Sequence, residues 1–189
     1  MKQVSKLANV VLATVVALLL LAGCSENSSK TTKFSSADRM FADMMIPHHE
    51  QAVEMSELAL TNSSNPEIIA LAEKIKSAQA PEIDQMQSWQ DSNSSEDQMG
   101  HGSESEDHSG HGVMGMLSDE DFAALQNARE AEFDRLYLKG MIEHHEGAID
   151  MAEMVVDSAN DEAAALGKAI IESQTAEIEE MKTLLATIL

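Results

Sequence analysis

The chain of 189 residues carries a formal net charge of −21, with 13 methionines, 7 histidines and a single cysteine. So large an acidic excess excludes nucleic acid as a partner, because phosphates need a basic surface, and it favours cations. One cysteine excludes an internal disulfide and any thiolate-rich zinc or iron–sulfur site, and no glycine fingerprint of a nucleotide-binding loop is present.

Residues 1–23 read as an export signal. Lys2 and Lys6 precede an apolar run, Leu7 to Leu21, too short for a membrane span of roughly 20 apolar residues. The run closes in Leu21-Ala22-Gly23-Cys24, which resembles the lipobox of bacterial lipoproteins. That resemblance implies a lipid anchor on Cys24 and a location in the bacterial cell envelope outside the cytoplasm. Ser25 follows the cysteine in place of an inner-membrane retention aspartate, so a periplasmic or outer-membrane destination is favoured. Residues 24–36, rich in Ser, Thr, Asn and Lys, are expected to form a flexible tether.

Helices are predicted near 37–61 and 66–90, then near 119–158 and 161–188. Ser35 with Asp38 and Ser118 with Asp121 have capping-box spacing, while Asn65-Pro66-Glu67 and Asn160-Asp161-Glu162 place a cap residue before a first turn. Apolar residues recur at helical intervals, as in Ile68, Leu71, Ala72 and Ile75 or Leu166, Ile170, Ile178 and Met181. Pro47 lies inside the first predicted helix and is expected to kink or break it just before a histidine pair. Hairpins 37–90 and 118–189 would each bury one apolar stripe, so the expectation is an all-α four-helix bundle across 37–189. The acidic Gly/Ser linker 91–117 lacks Lys and Arg yet carries His101, His108, His111, Met114 and Met116. Either it is a solvated spacer or it has the composition of a metal-binding tract.

The two hairpins repeat each other. Asp38-Arg39 through Met45-Ile46-Pro47-His48-His49-Glu50-Gln51-Ala52 and on to Met55 recurs as Asp134-Arg135 through Met141-Ile142-Glu143-His144-His145-Glu146-Gly147-Ala148 and on to Met151. Further on, Gln79-Ala80-Pro81-Glu82-Ile83-Asp84-Gln85-Met86 answers to Gln174-Thr175-Ala176-Glu177-Ile178-Glu179-Glu180-Met181. Met45 stands three and four residues before His48 and His49, as Met141 does before His144 and His145, and Met44 adds a second such spacing in the first half alone. Residues so spaced share a helix face. Imidazole with thioether suits Cu(I), with Ag(I) as a competitor and Cu(II) admissible at histidine-rich points. Outside the cytoplasm this set also avoids the oxidation that threatens thiolates. Core packing is the competing reading, above all for Met86 and Met181. Gln79, Glu82, Gln174 and Glu177 either orient the histidines or bond helix to helix. Since histidine binds metal only when neutral, binding should weaken as pH falls through its reference value of about 6.5.

At these His-His-Glu blocks and the later Gln-x-x-Glu-Ile-x-x-Met blocks, the sequence resembles the bacterial domain-of-unknown-function family 305. The resemblance covers nearly all of Asp38 to Leu189. It implies an exported, ferritin-like four-helix bundle that binds copper and takes part in copper resistance, with Met45, His48, His49, Met55, Met141, His144, His145 and Met151 at its sites. The leading expectation is a non-enzymatic lipoprotein that sequesters or buffers copper, or hands it on to a delivery protein. A ferritin-like di-iron enzyme is a weaker alternative, because Met45 and Met141 stand where Glu-x-x-His would need a carboxylate. A zinc protease is disfavoured because Val53 follows His49-Glu50 where a second histidine is required. A metal-free interaction module is the remaining class.

Overall fold

A computed structural model describes residues 33–94 and 114–188, which fall in the unit Thr31–Leu189. The signal segment, most of the tether, Cys24, His101, His108 and His111 lie outside the described residues. Five helices follow in order: α1 Ser36–Asn62, α2 Pro66–Ser94, α3 Asp119–Asn127, α4 Glu130–Ala152 and α5 Asp161–Ile188. No strand occurs among the described residues.

Local chemistry starts these helices where the cap residues stand. Ser35 Oγ accepts from the Asp38 amide at 3.1 Å while Asp38 Oδ2 accepts from the Ser35 amide at 2.6 Å, closing the capping box. Asn65 Oδ1 accepts from the Glu67 amide at 3.0 Å, and Asn160 Oδ1 accepts from Glu162 and Ala163 at 2.9 and 3.2 Å. Ser118 Oγ accepts from the Asp121 amide at 3.2 Å.

Two expectations need correction. α1 runs unbroken through Pro47, and α2 through Pro81. Both prolines sit on exposed faces, where water can satisfy the carbonyl that has lost its amide partner. The helix predicted over 119–158 is instead two helices. The chain breaks at Ala128–Arg129, where Glu130 adopts a positive φ of 54°. The break turns Leu125 and Ala128 into the core, 1% and 6% exposed. α4 then stops at Ala152, and a run of tight turns buries Val155 before α5.

α1 packs on α2, α4 on α5, and the two hairpins meet through α1 and α4. Polar contacts also join the outer helices, with Lys74 Nζ donating to Glu180 at 2.8 Å and Gln85 Nε2 to Glu162 at 3.0 Å. The core has two apolar clusters. One holds Met55, Ala59, Tyr137, Met141 and Met181, and the other Phe41, Met45, Met86, Met151 and Val155. Early residues of α1 therefore meet late residues of α4, which makes these helices antiparallel. Where they cross, a polar stratum lies between the two clusters.

Candidate metal centre

That stratum is built from the repeated histidines. His48 on α1 and His144 on α4 face each other with ring centroids 3.6 Å apart. His49 and His145 stand beside them, with centroids 6.5 Å from His48 and 6.4 Å from His144 respectively. All four side chains are fully buried. Antiparallel pairing of two copies of one motif is what brings equivalent residues face to face.

The neighbours of the four rings differ in an ordered way. His49 Nε2 donates to Glu82 Oε2 at 2.7 Å, and His145 Nε2 donates to Glu177 Oε2 at 2.9 Å. Each carboxylate comes from the second helix of the same hairpin, so the repeat supplies both the ring and its acceptor. Gln79 and Gln174 stand one turn before these glutamates and are 2% exposed. Both side-chain polar atoms of Gln79, and Oε1 of Gln174, lack a hydrogen-bond partner. His48 Nε2 donates at 3.0 Å to the carbonyl of Met114, a backbone contact that side-chain spacing did not reveal. His144 has neither ring nitrogen bonded.

Burial holds the central pair neutral. Desolvation, reinforced by the neighbouring His49 and His145, lowers the pKa of His48 to about 3, although its bond to Met114 opposes the shift. Desolvation, followed by the neighbouring imidazoles of His48, His145 and His49, lowers that of His144 well below the usual histidine range, although the backbone of His48 opposes the shift. Neutral imidazole is the metal-binding form. Nδ1 of all four histidines and Nε2 of His144 are buried without a partner. Each such atom costs about 1–3 kcal/mol of lost hydration. A coordinated ion would satisfy them.

The methionines fall into distinct groups. Met45, Met55, Met141 and Met151 are buried, as are Met86 and Met181. Met45 lies with Met151 in one apolar cluster, and Met141 with Met55 in the other, so the stratum has thioethers on both sides. Met44 is partly buried against the cluster that holds Met45 and Met151. Met114 is 49% exposed, and Met116 is half-buried. Among the described residues, no three His, Cys, Asp or Glu are disposed around one point as a metal cage. The available donors are thus paired imidazoles and nearby thioethers. Such a set fits a soft ion of low coordination number better than a hard one.

The sequence profile described as Domain of unknown function (DUF305) matches residues 38–185. The chain is similar to a DUF305 protein from Streptomyces coelicolor, with 32% identity, 81% of this chain and 94% of that chain covered, and a TM-score of 0.71. It is also similar to CopM solved in a Cu(II)-bound form, at 33% identity, 80% and 97% coverage and a TM-score of 0.66. For CopM in a Cu(I)-bound form the values are 31% identity, 79% and 96% coverage and a TM-score of 0.63. No curated protein sequence matches the chain.

Proposed function

The chain belongs to the DUF305 family, and from that premise we propose that it binds copper ions outside the cytoplasm and buffers them or hands them on, without catalysing a reaction. The observation that carries this is the buried His48–His144 pair, closed to water and flanked by orphaned imidazole nitrogens. Thioethers on both sides of the stratum favour Cu(I), with Ag(I) competing by the same softness. The copper-bound forms of the similar CopM support the choice of ion.

His48, His49, His144 and His145 would hold the ion, with Met45 and Met141 as the nearest thioether positions along the same helices. Glu82 and Glu177 orient the outer histidines, since each accepts from Nε2 and leaves Nδ1 as the free donor. A di-iron oxidase has less support, because the two carboxylates that reach the cluster are each tied to a different histidine instead of converging. The basic start, the short apolar run and the lipobox-like Leu21-Ala22-Gly23-Cys24 support export and anchoring through Cys24.

Titration of the full chain with Cu(I) against a chromophoric chelator tests the proposal. Competition that is lost when His48 and His144 are both replaced by leucine is the expected result. Failure of the native chain to compete overturns it.

A further inference from the structure

The segment that ends the linker, Met114–Leu117, lies directly across α4. Its seat is two glycines seven residues apart on either side of His144. A Cβ on Gly147 would stand 2.0 Å from the Met114 carbonyl oxygen, and a Cβ on Gly140 would stand 3.1 Å from Leu117 Cδ1. In the first half of the repeat the matching positions are Gln51 and Met44. Only the second half is cut back to admit a crossing backbone. Gly115 completes the fit: its φ is +81°, and a Cβ there would meet the Glu143 carbonyl at 2.4 Å.

Gln51, where the repeat departs from Gly147, holds the same segment from the opposite helix. Its Nε2 donates to the Leu117 carbonyl at 3.1 Å, and its Oε1 accepts from the Leu117 amide at 2.8 Å. The segment is thereby fixed against both α1 and α4, with the Met114 carbonyl 3.0 Å from His48 Nε2. A carbonyl oxygen can only accept, so His48 Nε2 must carry the proton. That is the tautomer Glu82 imposes on His49 and Glu177 on His145. Met114 thus offers the stratum a backbone oxygen, while its thioether stands half in solvent.

We propose that Met114–Leu117 is a positioning strap of the metal centre, in which the Met114 carbonyl fixes His48 as the Nε2–H tautomer and leaves Nδ1 as the donor to a soft metal ion. His144, the repeat partner of His48, makes no hydrogen bond to the strap. The strap therefore makes the two faces of a duplicated site unequal. The proposal rests on the histidine stratum being a metal centre, but its spectroscopic test does not need metal.

Imidazole 15N shifts of the metal-free full chain, recorded at mildly alkaline pH, report the tautomer of each histidine. In the native chain His48, His49 and His145 should all show protonated Nε2 and bare Nδ1. Gln51→Ala removes both bonds to Leu117, and Gly147→Ala drives the Met114 carbonyl away. Each should average the His48 signature while leaving that of His49 unchanged, and should lower Cu(I) affinity by about tenfold, the usual effect of losing a group that orients a ligand. Gln51→Ala makes no steric demand, so it decides the matter if Gly147→Ala disturbs the helix. A His48 signature unmoved in both variants, or a moved signature with unchanged affinity, overturns the strap's role. Failure of the native chain to compete for Cu(I) overturns the copper reading instead, and the signature alone then decides whether the strap sets the tautomer.

Discussion

At the residue scale, the four histidines divide by what holds their Nε2 atoms. Glu177 is the more enclosed of the two orienting carboxylates, its side chain 5% exposed against 20% for Glu82. Replacing either by glutamine should weaken Cu(I) binding by about 10- to 100-fold. The larger loss is expected at Glu177, and competition titration of the two variants in parallel checks that order. The central pair also sets an acid limit. His48 titrates near 3 in the folded chain against 6.5 unfolded, so between those values the unfolded chain binds more protons. Its contribution to stability is complete above about 6.5 and is lost as pH falls, at up to about 1.4 kcal/mol per pH unit. His144 acts in the same direction. Urea midpoints of the metal-free chain should therefore drop between neutral pH and about pH 5, a window set by this linkage. Metal capture by these two histidines should also persist to lower pH than the reference value near 6.5 suggests, because burial already keeps them neutral.

At the scale of the elements, helix starts are carried by short-range chemistry. Asn160 is 1% exposed and accepts two amide bonds at the head of α5, whereas Asn65 accepts one from Glu67. Asn160→Ala should cost about 1 kcal/mol and lower Tm by about 3 °C. Asn65→Ala should cost less, and paired melting curves decide. These caps, the duplicated blocks and the hairpin order were legible in the sequence because each depends on neighbours within one or two turns. The histidine clusters were legible too, since repetition singles out His48-His49 and His144-His145. What was not legible depends on distant partners. Nothing near Pro47 says that its face is wet enough to spare the helix. The turn at Ala128–Arg129 is set by the need to bury Leu125 and Ala128. The Met114 carbonyl has no side-chain signature, and its one trace is the exchange of Gln51 for Gly147.

At the scale of the whole molecule, the charge of −21 acts on every element at once. Raising ionic strength from about 0.01 to 0.15 M shortens the Debye length from roughly 30 to 8 Å. That should relieve self-repulsion and raise the Tm of the metal-free chain. Cu(I) present at about 100 times its Kd should stabilise by roughly 2.7 kcal/mol in addition, and melting unchanged by copper would count against binding to the native state. The antiparallel meeting of α1 and α4 has a further consequence, for descent and not for energetics. A half-length ancestor paired with its own copy would have set the same imidazoles across a two-fold axis. There, any glycine carved into one subunit would have appeared in the other. Joining the copies in one polypeptide breaks that bond, so one side can lose a side chain while the other keeps its amide, and a formerly even-handed cradle becomes left and right.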